Sequence, residues 1–239
     1  MATYGNIASA AAAGGPSSID TGNLNVTGAN LALVCGFAET DSSDITATFA
    51  WDVATANEAM TGQFAAISSG TYIEVEMEYL DNPTAVNSVV TASLSGTTVD
   101  GAVFAVFATD ADDIVGADVA TDNFTTNGTS VSSTVPNAVA TDLLVDVFAI
   151  SQQFTMTEGA DQTNRVEVDS VTFLRMGVST QDGADGGVMS WTCTDPIFGG
   201  GHIGVRIPGF GAAGTSPEFI INKRRFQGTR PRYENLLEH

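Results

Sequence analysis

Histidines and cysteines, the usual bases and nucleophiles of hydrolytic sites, are scarce in this chain of 239 residues. Nucleophilic catalysis needs a base beside a serine or cysteine, and the sequence offers only His202 and the terminal His239. Three glycines precede His202, and no Lys-Ser or Lys-Thr pair follows them as a phosphate-binding loop would require. A tight turn before a last strand explains these residues more simply. We therefore expect no catalytic centre, no bound cofactor and a protein that is not an enzyme.

Carboxylates are abundant, and three of them share one strand face. Glu74, Glu76 and Glu78 alternate with apolar residues, which places them on one side of a strand about 7 Å apart. A glycosidase uses two carboxylates at a comparable separation, but this spacing arises in any strand with alternating glutamates. The simpler interpretation is a solvated face, so we predict a sheet with one wet side.

Two aspartate-rich loops have the chemistry that calcium prefers. Asp110, Asp112 and Asp113 fall in one loop, and Asp182 and Asp185 fall in another. Calcium takes oxygen ligands from loops, although neither loop has the spacing of an EF-hand. These five aspartates are candidate ligands of a structural calcium ion, and the alternative is that they only solubilise two turns.

The charge is distributed unevenly along the chain. The formal net charge is −20, and residues 1–205 carry 2 basic and 25 acidic side chains, whereas residues 206–239 carry 6 and 3. So acidic a body repels phosphate backbones and anionic membrane surfaces. No apolar run reaches the roughly 18 residues of a membrane span. We therefore expect no nucleic-acid binding by the body and no membrane partner.

A basic segment near the C-terminus needs a partner of its own. Its cations are Lys223, Arg224, Arg225, Arg230 and Arg232. Cations interleaved with aromatic residues can clamp phosphates, but the acidic body resists a polyanion brought close to it. An acidic protein surface, on the same chain or on a neighbouring copy, is the better match, because complementary charges steer docking.

Strand signals recur along most of the chain. Residues 1–23 are rich in alanine, glycine and serine and predict an extended arm. Short alternating or apolar runs separated by turn residues then predict strands at 30–38, 45–51, 60–67, 72–80, 86–95, 102–108, 130–135, 143–150, 171–178, 188–194 and 202–207. Residues 111–120 are a weak helix candidate, and no internal repeat of fixed period is visible. We predict one all-β antiparallel sandwich over 24–208 and a basic tail over 209–239.

Cys35 and Cys193 each lie in an apolar, strand-like run. Two cysteines are too few to indicate a disulfide framework. Buried free thiols and a single disulfide both fit the pattern, so the redox state and the compartment stay open.

In order, the strand segments resemble a jelly-roll domain that is frequent in phage virion proteins and bacterial surface proteins. The segments that carry the resemblance are 30–37, 45–51, 72–80, 102–107, 142–149, 188–192 and 202–207. The family closes on a methionine-serine-tryptophan strand, which residues 189–191 match. The resemblance covers roughly residues 24–208, supplies no catalytic residues and implies a β-sandwich used for assembly, decoration or adhesion. The three glutamates of residues 74–78 and the basic tail depart from the pattern.

We therefore expect a structural protein of a bacteriophage virion, in the capsid, head or tail, that forms homo-oligomers and contacts other virion proteins. The alternative is a carbohydrate-binding or adhesive module at the cell surface, which would bind a glycan with the help of calcium. Trp51 and Trp191 would be the stacking platforms of that module, although apolar neighbours favour a core position for both.

Overall fold

A computed structural model describes residues 1–40, 45–68, 73–84, 86–96, 100–124, 128–170, 173–197 and 199–210. Within these ranges the chain is nearly all β-strand, and its only helical element is a 3-10 turn at Gly183–Asp185. The predicted all-β antiparallel sandwich is confirmed. Each of the predicted strands overlaps an observed one, and the strand predicted over 143–150 has the observed bounds, Leu143–Ile150.

The first half of the chain builds two main sheets. Its strands are β1 (Thr3–Ala13), β2 (Ser18–Asp20), β3 (Leu24–Asn25), β4 (Ala32–Thr40), β5 (Ala47–Trp51), β6 (Glu58–Ala59), β7 (Gly62–Ser68), β8 (Glu74–Asp81), β9 (Asn87–Ser88), β10 (Val90–Leu94) and β11 (Asp100–Thr109). The larger sheet has the order β1-β11-β4-β8-β7, and the smaller one has the order β2-β10-β5-β6. Strands β3 and β9 form a short separate ladder.

The second half builds another pair of sheets. Its strands are β12 (Val119–Phe124), β13 (Gly128–Thr134), β14 (Leu143–Ile150), β15 (Met156–Glu158), β16 (Thr163–Asp169), β17 (Arg175–Asp182), β18 (Val188–Ile197) and β19 (Gly200–Ile207). The larger sheet has the order β12-β19-β14-β17-β16, and the smaller has the order β13-β18-β15.

The two halves repeat one topology. When the two-residue strands β3, β6 and β9 are set aside, the described residues of each half form eight strands in the same order: 1-8-3-6-5 in the larger sheet and 2-7-4 in the smaller. The contacts between the halves follow the same numbering. The first strand of each half contacts the fifth strand of the other half: β1 contacts β16, and β12 contacts β7. This is the partner exchange of a two-fold symmetric pair, here within one chain. A structural repeat is therefore present, although no internal repeat of fixed period was predicted from the sequence.

The two larger sheets pack face to face and form the centre of the molecule. A single apolar cluster joins Val34, Val106 and Met77 of the first half to Val145 and Ile203 of the second. Apolar clusters on the outer side of each larger sheet then pack against the two smaller sheets. The result is four stacked β-layers, in which β4, β11 and β14 are buried on both faces. Such strands are mostly apolar because neither side meets water, although each carries one buried carboxylate: Glu39, Asp100 or Asp146.

The N-terminal segment is part of a sheet, which corrects the prediction of an arm. Strand β1 pairs with β11 from Thr3↔Thr109 to Ala13↔Asp100. Its alanines are small enough to pack on both apolar clusters, and for this reason a composition typical of a mobile linker forms an edge strand here. The helix candidate at 111–120 is also wrong, because these residues form a loop and the start of β12.

The predicted wet face of β8 is covered. Glu76 is 2% exposed and accepts a hydrogen bond from the Ala47 backbone N–H at 2.9 Å, because β5 of the smaller sheet lies over it. Burial raises the pKa of Glu76. Burial, and then the charge of Glu76, raise the pKa of Glu78 to about 7. The opposite face of β8 is buried as well. The alternating side chains of β8 therefore point into two different cores, rather than into one core and the solvent.

Both cysteines are free thiols in the interior, Cys35 in the first half and Cys193 in the second. Burial raises the pKa of Cys35 well above its ordinary value and that of Cys193 to about 11. The two thiols are therefore poor nucleophiles, since the thiolate is the reactive form.

Candidate functional site

The two ends of the described chain meet at one place. The Met1 ammonium donates to the Phe210 carbonyl oxygen at 3.0 Å, and the Phe210 N–H donates to the Asp110 carbonyl oxygen at 3.2 Å. Ala111 forms an isolated bridge with Gly209. We call this meeting point the terminal junction. The residues that follow, 211–239, begin from it.

Buried ion pairs fix the strand that leads into the junction. The Arg206 guanidinium at the end of β19 bonds to Asp118 and, at 2.6 Å, to Asp142. Both carboxylates are buried, and Asp142 also accepts the Gly209 N–H at 3.1 Å. Removing either partner of such a pair would leave a buried charge uncompensated. The direction in which the chain leaves the body is therefore rigidly set.

Beside the junction lies a polar cavity of about 360 Å³ between the first and second halves. Met1 and Tyr4 of the first half line it, together with residues of β16 and β17 from the second. Three exposed carboxylates also lie in its lining: Asp161, Asp182 and Asp185. We call this the acidic cavity. It brings together the two aspartates of one predicted loop and adds Asp161, which sequence reasoning missed.

The turn that carries Asp182 and Asp185 depends on glycine. Gly186 and Gly187 follow it with φ of 85° and 75°, in the left-handed region that favours glycine. A side chain at Gly183 would meet the Val139 carbonyl oxygen at 2.3 Å. These restrictions hold the two carboxylates of the turn at the cavity.

The other predicted aspartate loop reaches the same junction. The Asp112 N–H donates to the Pro208 carbonyl oxygen at 2.7 Å, and Asp110 adopts a left-handed φ of 55° while its carbonyl oxygen accepts from Phe210. The side chains of Asp110, Asp112 and Asp113 are exposed. The two loops, 72 residues apart from Asp110 to Asp182 in sequence, therefore both border the point where the tail begins.

One cation completes the lining of the acidic cavity, and a neighbouring buried amide lies on the other face of β17. The Arg165 guanidinium stacks 3.8 Å over the Tyr4 ring and donates to Thr180 Oγ1 at 2.7 Å. Burial raises the pKa of Tyr4, and the Arg165 charge offsets part of this rise. Gln181 is 4% exposed, lines the cavity, and its Oε1 has no hydrogen-bond partner among the described residues. Gln181 pairs with Leu144 of an outer apolar cluster, so its side chain lies on the opposite face of β17 from Thr180 and points away from the cavity.

Within the described residues, no group of three or more histidine, cysteine, aspartate or glutamate side chains is arranged to hold a metal ion. The proposal that either aspartate loop binds calcium stays a prediction. The same part of the chain contains no helix that is long and apolar enough to cross a membrane.

His202 lies in a buried polar network between the two sheets of the second half. Its Nε2 is 2.9 Å from Asp146 Oδ2, and its Nδ1 is 3.2 Å from Ser133 Oγ. Asp146 also accepts from Trp191 Nε1 at 2.9 Å and from Ser179 Oγ at 2.6 Å. Serine, histidine and aspartate are linked as in a catalytic triad, but this carboxylate is saturated by several donors. The arrangement suits a cross-link between sheets, and we interpret it so.

Trp51 and Trp191 are both fully buried. Their indole nitrogens donate to the Thr84 carbonyl oxygen and to Asp146. The expectation that both belong to the core is confirmed, and neither can act as an exposed sugar-stacking platform.

The predicted partner-binding cations, Lys223, Arg224, Arg225, Arg230 and Arg232, lie outside the described residues. Asp161, Arg165 and Gln181 of the acidic cavity were missed by sequence reasoning. Gln181 directly precedes Asp182, so its position beside the aspartate-rich turn was a sequence signal that could have found it. Asp161 and Arg165 had none, because only the packing of β16 beside β1 brings them to the cavity.

Comparison with known proteins gave no match to a family model, to a curated protein sequence or to a solved structure.

Proposed function

We propose that this chain is a non-enzymatic structural protein of a virion that assembles into homo-oligomers through its β-body and its C-terminal tail. The observation that carries the proposal is the terminal junction, where a tail with five cations begins at the acidic end of a strongly acidic body. A tail of opposite charge to its own body is suited to binding the next copy, because complementary charges both steer and orient docking.

The body has the properties of a building block. In the part of the chain that the structure describes, each half has eight main strands in two sheets, in the order 1-8-3-6-5 and 2-7-4, which supports the interpretation of each as a jelly roll. The shared central cluster makes the two halves one apolar core. A rigid body with fixed termini transmits the orientation of one contact to the next, as a symmetric assembly requires.

One edge of the larger first-half sheet also supports the proposal. Strand β1 is the outer strand of its sheet and has no charged residue and no proline among its eleven residues. Natural edge strands usually carry charges or proline to prevent pairing with another chain. An uncharged edge of this length supports contact between copies.

The test is the solution mass measured by light scattering. The full chain is compared with a chain that ends at Phe210, which keeps every described contact of the terminal junction. A third variant has full length but glutamine at the five tail cations. We expect a defined oligomer for the full chain and a smaller species for both variants.

A monomeric full chain at millimolar concentration would contradict the assembly proposal. An oligomer that is identical in all three proteins would show that the tail plays no part and that the body alone assembles. Unchanged thermal unfolding of the shortened chain serves as the control for its fold.

A further inference from the structure

Strand β1 carries an inference that rests on the proposed assembly and names its contact. We propose that β1 of one copy pairs antiparallel with the tail segment 219–222 of a neighbouring copy, which adds a strand to the outer side of the larger first-half sheet.

The exposure of β1 is that of an edge. Among the strands that the structure describes, β1 pairs with β11 on one side only. Of the eleven residues of β1 only Ala8 is buried, whereas every residue of β11 except Thr109 is buried. A strand that is paired on both sides and packed on both faces would be buried as β11 is.

The outer side of β1 presents backbone hydrogen-bonding groups. The Ile7 N–H points to this side and donates to the adjacent Asn6 Oδ1 at 2.9 Å. Backbone groups alternate between the two sides of a strand, and the register with β11 is regular beyond Asn6. The backbone groups of Ser9, Ala11 and Ala13 therefore point outward as well, where an incoming strand can bind them.

The equivalent edge of the second half is guarded by a charge. By strand register, Asp122 of β12 is equivalent to Ala10 of β1. The Asp122 carboxylate accepts the Asn123 N–H at 2.9 Å and the Ser132 N–H at 2.9 Å. An edge with its outward N–H occupied and a charge beside it resists pairing with another chain. An alanine gives β1 no such protection, so the two edges differ as a guarded strand differs from one that accepts a partner.

The tail contains a segment that suits this edge. Phe219, Ile220 and Ile221 are consecutive residues of high strand propensity. Ile7 and Ala8 of β1 pack on different apolar clusters, so a strand added beside them would meet apolar side chains on both faces. Continuously apolar segments are typical of strands that are buried on both faces.

The length of the tail makes the donor a neighbouring copy. The described strand pairs of this sheet are antiparallel, so a strand that continues the pattern runs from Ala13 towards Met1. Phe210 bonds to Met1, and Phe219 follows nine residues later, within at most about 32 Å. Ala13 is twelve residues from Met1, or about 40 Å along a strand. The tail of the same chain therefore falls short of this start, and the tail of another copy does not.

Charge supports the same direction. An antiparallel segment carries the cations that follow it, Lys223, Arg224 and Arg225, towards the terminal junction of the receiving copy. The exposed carboxylates of both aspartate loops lie at that end. A parallel segment would carry the cations away from them. Complementary charges orient docking, and head-to-tail donation of this kind forms a ring or a chain of copies.

The first experiment joins full-length chains through introduced cysteines. One variant has Ala12→Cys, and it is mixed with a second that has either Ile220→Cys or Ile221→Cys. Because the two cysteines are on different chains, only contact between copies can join them. The native thiols are buried, and the unmodified chain gives their background.

The pattern of cross-linking distinguishes a strand from a loose contact. Neighbouring residues of a strand point to opposite faces, so one of the two tail positions should form the disulfide several-fold faster than the other. Equal rates at both positions, or no disulfide between the two chains, would overturn the inference.

The second experiment blocks the edge with proline. Ala11→Pro removes an outward N–H and places a ring on the edge, a change that an edge strand tolerates. We expect the dissociation constant of the oligomer to rise about tenfold, since a hydrogen bond is lost and the incoming strand is obstructed. Asn123→Pro makes the matched change on β12 and should have little effect. Equal effects of the two prolines would contradict the inference, and thermal unfolding of both variants controls for their fold.

Failure of this inference can be told from failure of the proposed function. If the full chain forms an oligomer that Ala11→Pro leaves unchanged, and no disulfide joins the two chains, only the contact is wrong. If the full chain is monomeric at every concentration, the assembly proposal itself fails.

Discussion

The two halves of the molecule share one topology and differ at equivalent positions of their outer cores. By register, Cys35 of β4 pairs with Glu78 of β8, and Asp146 of β14 pairs with Ser179 of β17. The first half thus has a buried thiol where the second has a buried carboxylate. Strand order follows from the apolar alternation that both halves share, whereas the chemistry at one site can change without changing that order.

The outer cores are consequently held together in different ways. In the first half, Phe37, Phe49 and Trp51 pack between the sheets as an apolar layer. In the second half, Asp146 links β14 to β17, β18 and β19 through hydrogen bonds. An apolar layer loses stability gradually when it is trimmed, while a buried network fails sharply when its central acceptor is removed.

The strongest test of this difference is Asp146→Ala. It leaves the Trp191 indole, the Ser179 hydroxyl and His202 without their shared acceptor, inside a region that is closed to water. We expect a loss of about 3 to 5 kcal/mol in the free energy of unfolding. Denaturant unfolding followed by tryptophan fluorescence measures it.

The matched variant is Cys35→Ala at the equivalent position of the first half. It removes one buried sulfur atom and breaks no network, so we expect a cost of about 1 kcal/mol. Equal costs for the two variants would show that the Asp146 network contributes no more than ordinary packing.

A second test uses pH, because the first half has titratable Glu78 where the second half has Ser179. Burial, and then the charge of Glu76, raise the pKa of Glu78 to about 7. The folded state therefore binds this proton more tightly than the unfolded state. The resulting stability is complete below the ordinary pKa of glutamate and is lost as the pH rises through about 7. Because the side chain is only partly buried, we expect the protein to be more stable at pH 5 than at pH 8 by about 1 to 2 kcal/mol.

Glu78→Gln should flatten this pH dependence, and Ser179→Ala should lower stability equally at both pH values. The buried Glu76 has a raised pKa as well and contributes with the same sign, so a smaller slope will persist in the first variant. Stability that increases from pH 5 to pH 8 in the unmodified chain would contradict the assignment.

The smallest expected effect concerns the contact between β1 of the first half and β16 of the second, which we call the seam. Arg165 of β16 stacks on Tyr4 of β1 and so connects the second half to the first. Arg165→Ala should cost about 1 kcal/mol of stability through the lost cation–π contact and the lost bond to Thr180. A double-mutant cycle with Tyr4→Leu should return a coupling of about 0.5 to 1 kcal/mol. No coupling would mean that the stacked pair does not contribute to holding the seam.

Sequence reasoning found the strands that have a strong apolar or alternating pattern. It missed β1, since a run of alanines and glycines shows no apolar alternation. It also missed β16, whose polar residues show no strand pattern. It also missed the repeat, although a signal exists: Leu33-Val34-x-x-Phe37-Ala38 of β4 recurs as Leu144-Val145-x-x-Phe148-Ala149 of β14. This match is too short to stand out against chance without the common strand order.

Part of the lining of the acidic cavity could be predicted from the sequence. Asp182 and Asp185 stand in a glycine-rich turn, and such a turn exposes its acidic side chains. Asp161 and Arg165 reach the same cavity only because the two larger sheets pack face to face and bring β16 beside β1. No pattern within a single strand contains that information.

Composition and alternation alone determined that this chain is all β, acidic and basic-tailed, because strand formation and net charge depend on local side-chain types. The tertiary structure decided the rest: that the alanine-rich start is a strand, that Glu76 is buried, that the sandwich is doubled, and that both aspartate loops border the start of the tail. These features depend on which faces of the strands pack together. The sequence does not show which of the two cores an apolar residue enters.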